Sequence, residues 1–170
     1  MELTDILPLD QWLELERKIH YMFGLNAAVF NKDGFRITDY QNWANRLCPV
    51  IKGNEKGQSF ICAVANQNMI AQAKETKKPV TDECDAGLIK IVIPIFVGDE
   101  FLGIAGGCGL LPEDSEVESF LVSKITGIDE EEIQGLSDDI DIIKADKTET
   151  IVESIKERIN EIISEIEKQK

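Results

Sequence analysis

A chain of 170 residues, 43% hydrophobic and 29% charged, suits one globular domain with a real core. No apolar run nears the roughly 18 residues of a bilayer-spanning helix. Met1-Glu2-Leu3-Thr4-Asp5 lacks the basic and apolar regions of a signal peptide, so a cytoplasmic location is expected. The net charge of −14 excludes the usual nucleic-acid binder, which needs cations to meet phosphates, and opposes an anionic membrane, so neither partner is expected.

The charge is unevenly spread: residues 113–170 hold 18 acidic and 7 basic residues, against 14 and 11 in residues 1–112. Such an excess reads first as a solvated helical surface.

In chain order, Asp10 is a plausible N-cap. Trp12, Leu15, Ile19, Met22 and Phe23 then recur at helical spacing up to Gly24, a natural stop. Ala27 to Phe30 reads as a strand. Asn31-Lys32-Asp33-Gly34 reads as a hairpin turn, and Phe35 to Thr38 as the returning strand. Residues 41–60 read mostly as loop with short helical turns. Ile61 to Thr76, rich in Ala and Gln, reads as a helix ended by Pro79.

Leu88 to Val97 is strongly β-prone, Gly98-Asp99-Glu100 is a tight turn, and Phe101 to Ala105 returns, which makes a second hairpin. The glycines at 103, 106, 107 and 109 follow as a bend from strand to loop. Glu113 to Gly127 and Asp146 to Lys168 read as helices. In the last, Val152, Ile155, Ile159, Ile162 and Ile166 step by three and four, with Ile151 and Ile163 broadening the stripe. That face either packs on the domain's own sheet or joins a homodimer.

Two hairpins interleaved with helices give an α+β class with a PAS-like or GAF-like architecture. A central antiparallel sheet is flanked by helices, and a C-terminal amphipathic helix follows. The sensory part is expected over residues 1–145. Residues 146–170 form the signalling or dimerisation helix of the same domain.

An enzyme reading finds little to rest on. His20, the single histidine, lies inside the first helix, and no nucleophile elbow, Walker loop or His-Glu-x-x-His is present. The four cysteines carry more. Cys48, Cys62, Cys84 and Cys108 have the spacing C-x13-C-x21-C-x23-C, with no C-x-x-C pair, so neither a zinc ribbon nor a ferredoxin signature is present. In the cytosol they would be reduced thiols.

Each alone reads as a small buried hydrophobe. Three of the four, however, have turn-forming neighbours, and Cys62 stands at the start of an apparent helix, where the dipole favours thiolate. The expectation is that all four converge on one centre. Thiolate-only ligation would favour an iron–sulfur cluster, with zinc as the alternative. Failing a centre, the ligand would be a small organic compound in a pocket approached by Trp43, Phe60 and Met69, which lie in or near the connection between the hairpins.

Cys84-Asp85-Ala86-Gly87-Leu88, followed by Val92-Ile93-Pro94-Ile95 and Phe101-Leu102-Gly103, resembles the PocR-type sensory domain family. The resemblance extends over about residues 9–165, and its specific part is residues 84–109. It implies a PAS-like fold and a role in sensing small organic compounds within bacterial and archaeal regulators, usually ahead of a DNA-binding or signalling module. One departure is Gly107-Cys108-Gly109, where the family pattern has Gly-Gln, and the extra thiol favours a metal or redox variant.

The expected function is therefore a sensory domain that binds a small ligand or a cysteine-held centre and signals through its terminal helices. Its output would pass through a homodimer or to a separate signalling or regulatory protein. The alternatives are an electron-transfer protein with an iron–sulfur or other metal centre, and an enzyme of unrecognised type.

Overall fold

The computed structural model describes residues 1–170. The helix expected from Trp12 onward is α2 (Leu9–Phe23), preceded by a single turn, α1 (Leu3–Ile6). Asp10 lies in the first turn of α2 and Pro8 at its N-cap, a residue with no N–H to leave unpaired. Gly24 ends the helix in the left-handed region at φ 71°, and its N–H donates to the His20 carbonyl. Trp12 is fully buried, and its Nε1 donates to the Leu3 carbonyl at 2.9 Å, which ties α1 down.

The sheet has the order β1-β4-β3-β2, all antiparallel: β1 (Asn26–Asn31), β2 (Val80–Glu83), β3 (Ile89–Val97) and β4 (Glu100–Pro112). A short β5 (Ile142–Ile143) pairs in parallel with the far end of β4. The α+β class and the helix-flanked antiparallel sheet are as the sequence implies.

Local features beyond the N-cap also differ from the sequence reading. Phe35 to Thr38 is not a strand; only an isolated Phe30–Arg36 bridge forms. The Asn31 side chain accepts from the N–H groups of Asp33 and Phe35, so the turn closes on itself, and Phe35 is exposed. β1 takes its ladder from β4 instead.

The glycine run is not a bend. β4 continues through it for 13 residues as a central strand, between β1 and β3. A Cβ at Gly106 would stand 1.9 Å from the Ile91 carbonyl oxygen, and one at Gly103 would stand 2.1 Å from that of Phe30. Glycine lets both neighbouring strands press against β4 there.

Finally, helix 113–127 contracts to α6 (Ser119–Thr126), and α7 (Glu130–Ser137), capped by Asp129, follows it.

Between β1 and β2 the chain is irregular up to Arg46 and then helical, where residues 41–60 read mostly as loop: α3 (Leu47–Gly53), α4 (Glu55–Gly57), a π-helical turn (Gln58–Cys62) and α5 (Ala63–Thr76). The last helix, α8 (Ala145–Gln169), runs close to its expected span.

Strand alternation sorts side chains onto two faces. Ala27 and Val29 of β1 and Ile89, Ile91, Ile93 and Ile95 of β3 join Trp12, Leu15 and Ile19 of α2 in the main core. Ile151, Ile155, Ile159 and Ile162 of α8 belong to the same core, so most of the isoleucine stripe is spent on the domain's own sheet. Val152, Ile163 and Ile166 are only partly buried at its margin. The opposite face carries Phe30, Lys90, Val92 and Ile104, and it meets α3, the π turn and α5.

Candidate functional site

That second face encloses a cavity of about 180 Å³, the liquid volume of roughly six waters. All four cysteines line it. Cys48 comes from the first turn of α3, where Asn45 holds it twice: Asn45 Oδ1 accepts from the Cys48 N–H at 2.7 Å, and Asn45 Nδ2 donates to Cys48 Sγ at 3.2 Å. The same Asn45 amide donates to the Gly109 carbonyl at 2.7 Å, which pins α3 to β4. Cys84 lies just beyond β2 in a tight turn, its N–H on the Leu88 carbonyl and its carbonyl on the Gly87 N–H.

Cys108 is a strand residue opposite Asn26 of β1 and Lys90 of β3, not a loop residue. Cys62 does not stand at a free helix N-terminus, because the helical path begins at Glu55 and runs through the π turn into α5.

Burial rather than a dipole therefore governs these thiols. It pushes Cys48 up to about 12, with the nearby Cys108 adding to the rise. It pushes Cys62 up to about 11, where Cys108 again adds and Lys52 opposes. Cys84 is also raised, by burial first, with an opposing bond from the Leu88 backbone. In the metal-free protein at neutral pH these three are thiols, not thiolates. No three His, Cys, Asp or Glu side chains are drawn together closely enough to hold a single metal ion, so the four sulfurs border a space rather than a point.

The remaining charged groups on the cavity wall are all basic: Arg36, Lys52 and Lys90, with no carboxylate among the lining residues. Burial, and then the Arg36 charge, lower the Lys52 amine below its ordinary range. Arg36 Nη2 donates to the carbonyls of Tyr40 at 2.6 Å and Ala27 at 3.3 Å, and its nearest carboxylate is the buried Glu16 at 3.9 Å.

Of the three apolar residues expected at the pocket, Trp43 lines it. Phe60 does not: it points outward from the π turn and is more than half exposed. Nor does Met69, which lies further along α5 and packs with Ile70, Ala73 and Val80 in a separate cluster. His20 lies elsewhere, its Nδ1 donating to the Leu25 carbonyl at 2.7 Å.

The wall also includes residues the sequence did not single out, among them Asn26, Arg36, Lys52, Gln58, Asn66 and Lys90. Gln58 and Asn66 stand four residues on either side of Cys62, a helical spacing that would have marked them had the helix been started earlier.

The chain matches the family described as the sensory domain found in PocR over residues 5–167. It belongs to that family. No curated protein and no solved structure shows a match. A sensory role follows from the family. As a PocR domain, the chain carries its cysteine-bearing segment 84–109 along the cavity wall, and Cys108 lines the same space as the other three thiols. No helix of this PocR domain is long and apolar enough to cross a membrane.

Proposed function

We propose that this PocR domain is a cytoplasmic sensor whose detection site is the cysteine-lined cavity, that the four thiols hold an iron–sulfur centre there, and that occupancy is reported through the terminal helices. The observation that carries the reading is that every cysteine of the chain faces one cavity. Cys48, Cys62 and Cys84 also pack against the apolar cluster of Leu47, Ile51 and Leu88, and Cys108 joins them on the cavity wall. Sulfurs spaced around a volume suit a multi-atom cluster better than a single zinc ion, which needs its ligands at one point.

The amides of Asn45 and Asn26 donate to the sulfurs of Cys48 and Cys108, a type of contact that tunes cluster potential. Bound sulfur ligands would be thiolates, so loading releases protons from thiols that burial now holds neutral. The strands that form the cavity floor carry α2 and α8 on their other face, so a shift in β3 or β4 reaches the terminal helices directly. A homodimer built on the partly buried margin of α8, at Ile163 and Ile166, or a separate regulatory protein at the same place, would read the change.

The test is anaerobic purification followed by iron and acid-labile sulfide analysis and a visible spectrum, repeated for each Cys→Ala variant. Bound iron and sulfide, lost or sharply reduced in each variant, are expected. Colourless protein without metal, or full occupancy in every variant, would overturn the iron–sulfur reading.

A further inference from the structure

Three side-chain atoms in the chain are buried without a hydrogen-bond partner: Arg36 Nε, Gln58 Oε1 and Asn66 Oδ1. All three belong to residues on the wall of the one cavity. An unpaired buried polar atom costs about 1–3 kcal/mol, so three of them on residues around one space favour an occupant whose binding turns those side chains into pairing. A sulfur-held centre has no hydrogen to donate and leaves the two amide oxygens unanswered. In a chain of net charge −14, the same wall carries three cations and no carboxylate. An occupant that answers both features, which water alone does not, brings negative charge and at least one N–H or O–H.

We propose that the cavity receives a small organic anion with a hydrogen-bond donor beside its carboxylate, held by Arg36, Lys52, Gln58 and Asn66. The carboxylate accepts from Arg36 Nε and meets the Lys52 charge. A neighbouring ammonium donates to both the Gln58 and Asn66 oxygens, and a hydroxyl in its place donates to one of them. A 2-hydroxy or 2-amino acid of three or four carbons has this pattern and fits the cavity's volume of about 180 Å³. The proposal rests on reading the cavity as the sensory site and does not require the sulfurs to be loaded.

Full-length protein purified anaerobically, with iron and sulfide measured on the same sample, is titrated calorimetrically with lactate, alanine, acetate and 1,2-propanediol. Lactate or alanine is expected to bind at least tenfold more tightly than acetate, which lacks the donor, and than the diol, which lacks the charge. Gln58→Leu and Asn66→Leu should each weaken alanine binding at least tenfold while leaving thermal stability without ligand equal or higher, because each removes an unpaired buried amide oxygen. Lys52→Met, which leaves both amides in place, should weaken it similarly.

Absence of binding by both acids, equal binding of the neutral diol, or unchanged affinity in the Leu variants would overturn the proposal. Iron-free protein that binds lactate would overturn the iron–sulfur reading alone. Iron-loaded protein indifferent to all four compounds would overturn this inference alone.

Discussion

Asn26 and Cys108 face each other in the β1–β4 ladder, and the Asn26 amide nitrogen lies 3.6 Å from the Cys108 sulfur. The same side chain accepts from the Ala44 N–H through Oδ1, so it fastens the loop before α3 while presenting N–H to sulfur. Asn26→Ala would leave the Ala44 N–H without its partner and is expected to destabilise the domain by about 1–3 kcal/mol, read as a lowered urea midpoint at unchanged slope. In iron-loaded protein the same change should lower the centre's reduction potential, because an N–H donor to sulfur stabilises the more negative reduced state. An unchanged potential would detach Asn26 from the centre.

The buried thiols set a pH dependence. Their ordinary value is 9.0, while Cys48 is raised to about 12 and Cys62 to about 11. Between these limits the unfolded chain binds fewer protons than the folded one, so stability falls as pH rises. The contribution is fully present below about pH 8 and declines from about pH 9 upward. Urea midpoints of metal-free protein at pH 7, 8, 9 and 10 should be level at first and then fall. A flat series to pH 10 would mean these thiols are not buried in the folded protein.

Gly106 is the place where β4 can least accept a side chain, since a Cβ would meet the Ile91 carbonyl oxygen at 1.9 Å. Backbone cannot yield as a side-chain tip does. Gly106→Ala is expected to separate β3 from β4 and cost about 3 kcal/mol or more, the upper part of the range for overpacking. Circular dichroism and urea melts would show it. A neutral result would mean that the two strands are not paired in this register.

The isoleucine stripe of α8 divides into two roles that different substitutions separate. Ile159 is buried in the main core, and Ile159→Ala should cost about 2–5 kcal/mol. Ile166 is half-buried near the helix end, and Ile166→Glu should leave the melting temperature within a few degrees of the parent. If the chain is a homodimer through this margin, mass measured in solution at tens of micromolar should be twice that of one chain, and Ile166→Glu should halve it. A monomeric parent would remove the dimer from the signalling scheme and leave a separate partner.

Much of the architecture follows from local pattern. The period-3.6 stripe of Trp12, Leu15 and Ile19, the β-branched run of β3 with its Gly98 turn, and the long stripe of α8 each carry their own signal in neighbouring residues. The family was legible for the same reason, since the short segments that resemble it, 84–88, 92–95 and 101–103, lie close together in sequence.

Tertiary structure alone decided the rest. Gly103, Gly106 and Gly107 look like a bend because glycine is intrinsically poor in strands. They form a central strand because β1 and β3 approach closely from both sides, a demand no neighbour in sequence can announce. Whether α8 buries its stripe at home depends on an open sheet face, which α2 and α8 share. The cavity depends on the same kind of long-range fact. The number of thiols could be read from the chain. Their common wall, the excess of cations beside them and the unpaired atoms of Arg36, Gln58 and Asn66 arise only when α3, the π turn, α5 and three strands close around one space. Residues distant in sequence then share a low-dielectric environment, and that environment sets the protonation and pairing on which binding depends.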